Sequence, residues 1–486
     1  MSQSLTDRTI NGAGWSFIDN IANQGITFLV GVVLARLLSP DEYGLIGIIT
    51  IFIILFSAIV DSGLSTALIR DKEVDNKDYN TAFWANNGLG IVMFLTLFFL
   101  ANPIAIFFER EELVNLTKAM AIVLVVNSIS SIQRTILTKR LNFKTQTKIS
   151  LIASIGSGFI GIGMAYLGWG VWSLVGQQIS RQGLQSLFLW IWSSWYPQFY
   201  FSYTSFKKMY VFGWKIMISN IINSIWNEAY QVVIGKYYTP SSLGQYTRAK
   251  QFADIFSVNL TSVVQRVTFP ALSEIQDEQE RLKESYRRVL KLTMLFTFFF
   301  LFVLAAMSKA LIYSLIGNQW DDAIKYLPII CLQCVFYPLS AINLNILMVK
   351  GKSGVYLKLE IVKRIIAIIP LLLGVFVGIY SMLWGSVIYG IIAYCLNAYF
   401  SGKEIKYTLK EQMHDLMPAM ICSLMVSVVV FFVGKVEASC YAVLLLQMIT
   451  AFILSILILQ LTKNSEFKFA IGTIKPFVIK YLRIKK

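Results

Sequence analysis

Apolar runs such as "IGIITIFIILFSAIV" (46–60), "IVMFLTLFFLANPIAIFF" (91–108) and "LTMLFTFFFLFVLAAM" (292–307) recur from one end of this 486-residue chain to the other. They approach the ~20 residues that cross a bilayer as a helix. Backbone groups in hydrocarbon must be hydrogen-bonded internally, so repeated runs of this length are confined to a bundle of spanning helices. Hydrophobic residues make up 56% of the chain and are spread along its length, which excludes an ordinary soluble domain. The polar start "MSQSLTDRTINGAG" predicts that the first apolar stretch is the first span rather than a cleaved leader.

Charged and Gly/Pro-rich breaks divide the runs into about fourteen predicted spans: 15–38, 44–68, 81–108, 116–137, 148–168, 171–195, 209–236, 245–270, 289–308, 323–348, 356–378, 381–400, 413–434 and 441–461. With the N-terminus in the cytoplasm, most of the 43 Lys and Arg fall on the cytoplasmic side. They include Lys139, Arg140, Lys144 and Lys148 in one loop and Arg281, Lys283, Arg287 and Arg288 in another, with Lys463 to Lys486 in the tail. That bias sets both termini in the cytoplasm. The net charge of +16 is then accounted for by topology and by contact with anionic lipid, not by nucleic-acid binding.

Five cysteines make no disulfide framework, and Cys331 and Cys334 lie inside an apolar run without a second pair. They read as two buried apolar residues one turn apart. His414 is the only histidine, which argues against His-based catalysis or a His-rich metal site.

The chain also repeats. Residues 17–44, "FIDNIANQGITFLVGVVLARLLSPDEYG", align with 217–244, "MISNIINSIWNEAYQVVIGKYYTPSSLG". At an offset of 200, Ile18, Asn20, Ile21, Asn23, Val33, Pro40 and Gly44 match Ile218, Asn220, Ile221, Asn223, Val233, Pro240 and Gly244. Phe52, Phe56, Ser57 and Ser62 match Phe252, Phe256, Ser257 and Ser262, and at an offset of 210 "ILTKRLNFKTQTK" meets "ILMVKGKSGVYLK". Six spans per unit is an even number, so the units share one orientation and form a parallel pseudo-twofold repeat. The predicted organisation is a lobe over 1–200, a second over 201–405, two additional spans over 406–462 and a basic cytoplasmic tail over 463–486.

Residues three and four apart share a helix face. In the first span Asp19, Asn23 and Thr27 make one row and Asn20 with Gln24 another. In the seventh, Asn220, Ser224, Asn227 and Gln231 form a stripe, flanked by Asn223 and Glu228. In the eighth, Lys250, Asp254, Ser257, Thr261 and Gln265 form one row, and Arg248, Gln251, Asn259, Ser262 and Arg266 its neighbour. An ionised group at the bilayer centre costs roughly 2.5–3.5 kcal/mol, so these rows must face protein or water. One reading is a polar network between helices, with pairs such as Lys250–Asp254 and Glu360–Arg364 joining adjacent turns. Arg134, Lys215, Lys363 and Arg364 lie near cytoplasmic ends, where they snorkel. The recurrence of the stripes favours the other reading, a water-filled cavity between the lobes. Its candidate lining is cationic, with Arg181, Lys215, Arg248, Lys250 and Arg266, and its acids are Asp19, Asp61, Glu228 and Asp254. A cationic cavity in a membrane suits an anionic ligand, above all a phosphate.

The stretch "GWSFIDNIANQGITFLVGVVLARLLSPDEYGLIGI", with its L-L-x-P-x-x-Y-G turn, resembles the opening of bacterial polysaccharide flippases. "GKYYTPSSLGQYTRA" and "VTFPALSEIQDEQERLKESYRR" look like second-half signatures of the same family. The resemblance is nearest to exporters of colanic acid, teichuronic acid and related exopolysaccharides, within the multidrug/oligosaccharidyl-lipid/polysaccharide superfamily. It implies two six-helix lobes opening alternately to each side of the bacterial cytoplasmic membrane. The implied cargo is an undecaprenyl-diphosphate-linked oligosaccharide, its diphosphate against the cavity cations and its sugars against Asn, Gln, Trp and Tyr. It also implies a functional monomer with no cofactor, working beside polymerase and chain-length machinery. Coupling to H+ or Na+ is expected by the same resemblance, with Asp19, Asp61, Glu228 and Asp254 as candidate sites. Two alternatives stand beside this reading: a multidrug/cation antiporter of the same superfamily, and a membrane glycosyltransferase or polymerase. For the latter Asp321-Asp322 would be the acidic pair, although the same residues suit a helix start.

Overall fold

The computed structural model describes residues 5–461 except Ser62 and Lys72, with backbone alone at 5–14, 16–18, 459 and 461. The basic tail expected over 463–486 lies outside the described residues. Among the described residues the chain is helical throughout, without a strand. Contacts divide it into two compact units, Met1–Gly244 and Gln245–Lys486.

Unit 1 contains α1 (Leu5–Leu37), α2 (Pro40–Val60), α3 (Leu64–Arg70), α4 (Asn76–Phe108), α5 (Leu113–Lys139), α6 (Phe143–Tyr166), α7 (Val171–Trp192) and α8 (Tyr203–Tyr237). Helix α9 (Pro240–Glu274) starts at its end and continues into unit 2. Unit 2 then holds α10 (Gln279–Ala306), α11 (Ser308–Leu315), α12 (Asp321–Val349), α13 (Ser353–Ile366), α14 (Ile368–Phe376), α15 (Ile379–Ile405), α16 (Leu409–Val433) and α17 (Cys440–Leu461).

Each predicted span falls on helix, and two of them are broken. The span expected over 44–68 is α2 followed by α3, separated around Asp61 and Gly63. Gly63 has φ +70°, and a Cβ there would lie 2.2 Å from the carbonyl oxygen of Gly213, so only glycine fits both the turn and the approach. The span expected over 356–378 is α13 and α14, interrupted at Ala367. Pro370 has no N–H to give the carbonyl of Ile366 and crowds it, which ends the first segment.

Among the described residues ten helices are long and apolar enough to cross a membrane. The other predicted spans, on α7, α8, α9 and the α13–α14 pair, are too polar or too short by that measure. Gln177, Gln178, Arg181, Gln182 and Gln185 lower α7, and the Asn and charged rows lower α8 and α9.

The repeat is visible in the backbone. The Leu38 N–H donates to Leu34 O as the Tyr238 N–H does to Ile234 O, and Tyr43 to Ser39 as Leu243 to Thr239. Ser39 caps α2 with its hydroxyl on the Glu42 N–H, and Thr239 caps α9 on the Ser242 N–H. At an offset of 210 the α5 terminus bonds Arg140 to Ile136, Leu141 to Thr138 and Asn142 to Leu137. The α12 terminus repeats this as Lys350 to Ile346, Gly351 to Met348 and Lys352 to Leu347. Leu141 and Gly351 occupy the same left-handed turn, at φ +56° and +68°.

In unit 1, α4 packs on α5, α6 on α7 and α1 on α6. A core of Leu64, Phe83, Ile132, Ile136, Trp195 and Met209 joins α3, α4, α5 and α8 with the segment that follows α7. Although α8 opens the second repeat, it packs on α2, α3 and α4. In unit 2, α12 lies on α15 and α10 on both α12 and α16. Beyond the repeat, Val426 and Val430 of α16 join Ala451 of α17 and Met307 in a separate apolar cluster.

Candidate functional site

The polar row of α1 exists, and its partners are on α6. Asn23 Nδ2 donates to Asp19 Oδ1 at 2.6 Å and to Ser150 Oγ at 2.8 Å. The Ser154 hydroxyl donates to Asn23 Oδ1 at 2.6 Å, and the Ser150 hydroxyl donates to the Asp19 carboxylate. Close approach of the helices permits this: a Cβ on Gly158 would lie 2.6 Å from Val30 Cγ2. Small residues at Ser150, Ser154, Ser157, Gly158 and Gly161 give α6 the flat face that membrane helices use for such contacts. That stripe was legible in the sequence but was not connected there with the first span. Arg181 on α7 is exposed and interacts electrostatically with Asp19.

Other members of the predicted lining stay outside this network. Asn20 on α1 and Asn220, Asn223 and Asn227 on α8 are exposed, while Gln24 is half-buried. On α8, Gln231 donates its side-chain amide to Glu228. Lys215 is exposed, its Nζ 6.0 Å from the Trp214 ring centroid. Asp61 sits exposed at the end of α2, paired electrostatically with Arg134 of α5. Arg134 had been assigned by sequence only to snorkelling.

In unit 2 the rows of α9 divide by role. Lys250 and Asp254 form an i,i+4 ion pair, and Cys334 Sγ lies 3.9 Å from Asp254 Oδ1. The Ser257 hydroxyl donates to Cys334 O at 2.7 Å and Gln265 Nε2 to Ala341 O at 3.2 Å, so this row holds α9 to α12. On the neighbouring row Arg248 Nη1 donates to Gln251 Oε1 at 2.6 Å, and Arg266 is exposed. The predicted cations thus divide into Arg181 and Lys215 in unit 1 and Arg248, Lys250 and Arg266 in unit 2. Glu360 on α13 pairs with the buried Lys363.

Asp321 and Asp322 occupy the first turn of α12. Asp321 accepts from the Tyr313 hydroxyl at 2.6 Å and Asp322 pairs with Lys325 at 3.1 Å. They serve a helix start, where acidic groups meet the positive end of the dipole. Among the described residues no cluster of His, Cys, Asp or Glu has the makings of a metal site.

A family described as "Polysaccharide biosynthesis protein" matches residues 33–325. The chain is 27% identical over 333 residues to the succinoglycan biosynthesis transport protein ExoT of Rhizobium meliloti (strain 1021), covering 68% of this chain and 67% of that one. It is 24% identical over 432 residues to the teichuronic acid biosynthesis protein TuaB of Bacillus subtilis (strain 168), covering 88% and 89%. With the lipopolysaccharide biosynthesis protein WzxC of Escherichia coli (strain K12) it shares 26% over 380 residues, covering 76% of each. Among solved structures, the lipid II flippase MurJ in an inward closed conformation matches with a TM-score of 0.73 at 16% identity, covering 93% of this chain and 98% of that one. An inward-facing multidrug resistance MATE family transporter of the MOP superfamily matches with 0.60 at 17%, covering 79% and 94%. At such identities the structural likeness shows the fold alone, that of an all-α, multi-pass membrane protein. The matched family spans more than half of the chain, and this protein belongs to that polysaccharide biosynthesis family.

Proposed function

We propose that this chain is a flippase that carries undecaprenyl-diphosphate-linked oligosaccharide units from the cytoplasmic to the outer leaflet of the bacterial cytoplasmic membrane, by alternating access. The observation that carries the reading is the exposure of Asn20 on α1 and of Asn220 and Asn223 on α8. Exposed polar side chains on membrane-length helices suit contact with water or a polar cargo. Two repeat-related helices presenting them suit a polar headgroup as cargo. The relatives' printed roles in succinoglycan, teichuronic acid and lipopolysaccharide biosynthesis favour a sugar cargo.

In this reading Arg181, Lys215, Arg248, Lys250 and Arg266 meet the diphosphate, and the amides of α1 and α8 meet sugar hydroxyls. Charge-assisted hydrogen bonds offset the desolvation of the phosphates. The protein transfers no atoms and acts as a carrier, driven by an H+ or Na+ gradient through an acid among Asp19, Asp61, Glu228 and Asp254. Each of the four holds a partner in the structure: Asp19 has Asn23 and Ser150, Asp61 has Arg134, Glu228 has Gln231 and Asp254 has Lys250.

The test is purified full-length protein in vesicles loaded with a fluorescent undecaprenyl-diphosphate oligosaccharide on one leaflet. Time-dependent exposure of the sugar to a membrane-impermeant reagent on the opposite leaflet is expected. Extension or cleavage of the sugar would show an enzyme instead. Uptake of cationic dyes without movement of the lipid-linked sugar would show a drug antiporter.

A further inference from the structure

Unit 2 contains a cavity of about 700 Å³ between α10, α12, α15 and α16. Its wall is almost wholly apolar, from Phe298 and Phe302 on α10 to Leu332 and Phe336 on α12. Interiors are packed to crystal density, so a space of this size in a membrane protein is a place for a guest. The α16 wall shows where the guest enters: Met417, Leu424, Val428 and Phe432 line the cavity and are also exposed on the outside of the bundle. The cavity is therefore a groove open to the hydrocarbon. Along α16 it runs from Met413 to Phe432, roughly 28 Å at the helical rise and close to the ~30 Å of a bilayer's apolar core.

Two polar features mark the groove. At its α16 C-terminal mouth the exposed Lys435 holds its ammonium 5.3 and 5.2 Å from the ring centroids of Phe431 and Phe432, which line the groove. The Tyr394 side chain also lines the wall at 6% exposure, and its buried hydroxyl makes no hydrogen bond among the described residues. The Ser427 hydroxyl, by contrast, is occupied by Leu424 O at 2.8 Å.

We propose that this groove binds an anionic glycerophospholipid of the surrounding bilayer, with an acyl chain along α16 and the phosphate at Lys435. One cation at the mouth matches one phosphate, and an aliphatic chain matches the wall. No amides or carboxylates that would bind sugars line it, so a diphosphate-oligosaccharide headgroup finds nothing to hold it here. The lipid would brace α16, which packs on α10 and leaves the gap toward α12 unfilled. The site lies outside the residues assigned to cargo, and it stands whether or not the flippase reading holds.

The test uses full-length protein purified in mild detergent, with native mass spectrometry and palmitoyl-oleoyl phosphatidylglycerol as the probe. One tightly held phosphatidylglycerol per chain is expected. Leu424→Trp and Val428→Trp, which fill the groove, each lower its retention about tenfold, and Lys435→Glu weakens it about fivefold relative to phosphatidylcholine. Unchanged retention in both tryptophan variants overturns the proposal. So does displacement of the lipid by equimolar undecaprenyl phosphate, which would make the groove a prenyl-chain site. If the tryptophan variants do not elute as folded protein, the exposed Lys435→Glu decides alone: an undiminished preference for phosphatidylglycerol overturns the assignment.

Discussion

Gly44 and Gly244, equivalent positions of the repeat, make reciprocal contacts within unit 1. A Cβ on Gly44 would lie 1.8 Å from the carbonyl oxygen of Pro240, and one on Gly244 would lie 2.0 Å from that of Pro40. Each segment sets its glycine against the other's proline, as a twofold relation between the two turns requires. The backbones touch with no room for a methyl group.

Gly44→Ala and Gly244→Ala therefore force these segments apart. Overpacking costs typically ~1–3 kcal/mol, so each variant should melt several degrees lower. Gly25→Ala, where nothing lies within 4 Å, is the matched control and should melt as the parent does. Differential scanning fluorimetry in detergent measures this, and equal melting of all three variants would contradict the contact.

The Asp19–Asn23–Ser150–Ser154 network makes a second prediction. Interhelical hydrogen bonds in membranes average about 0.6 kcal/mol. Ser154→Ala should thus lower stability only slightly, whereas Asp19→Ala, which removes the acceptor of both Asn23 and Ser150 and leaves Arg181 without its acid, should cost more, about 1–2 kcal/mol. Asn23 and Ser150 keep their bond to each other, and Ser150 its bond to Thr147 O. Double-mutant cycles between Asp19 and Ser150 report the coupling; additivity of the two losses would show that the network contributes nothing.

The assigned cargo cations can be tested by charge and by shape. Arg181→Ala and Arg266→Ala should each slow lipid-linked sugar transfer by about 10- to 100-fold at equal protein level, the loss of a charge-assisted bond. Arg→Lys at either position should recover part of it, because the charge remains while the planar fork is lost. Full transport by both alanine variants would remove these residues from the site.

A fourth prediction concerns Asp415 near the start of α16. The side chain of Asp415 is buried and accepts two bonds from Arg287 and one from the Tyr407 hydroxyl. Asp415→Ala strands the other two groups. Because Arg287 is half-exposed and regains water, the cost should fall below the 3–5 kcal/mol of a fully buried pair, at about 2 kcal/mol. Chemical denaturation in mixed micelles compares Asp415→Ala with the conservative Asp415→Asn.

The pair Lys208–Asp71, at 2.6 Å, joins the start of α8 to the end of α3. The Lys208 hydrogen bond holds the Asp71 carboxyl below its ordinary value, and Asp71 raises Lys208 in return. A lowered acid stabilises above its unfolded pKa and loses that contribution as pH falls through the folded value, so the loss begins below roughly pH 4. A raised base stabilises below its unfolded pKa and loses the contribution above roughly pH 10.4. The melting difference between parent and Asp71→Asn should be constant at neutral pH and shrink progressively as pH falls below about 4. A difference that does not shrink at all with acidification would mean the pair is not the cause.

The sequence by itself determined the membrane bundle, the helix positions and the parallel repeat. Those depend on local apolar runs and on residues matched at constant spacing, both properties of a chain read in order. It also marked Asn20, Asn23, Asn220 and Asn223 as side chains that hydrocarbon does not tolerate. Tertiary structure decided what each of them meets. Asn23 turns to Ser150 and Ser154, while Asn220 and Asn223 stay exposed, although the two helices carry the same residues at the same register. Helical periodicity defines a face but not its neighbour. The neighbour depends on which helices pack closely enough for side chains to reach, as Gly158 allows for α1 and α6. The groove beside α16 has the same origin, for a space between helices belongs to no single stretch of chain.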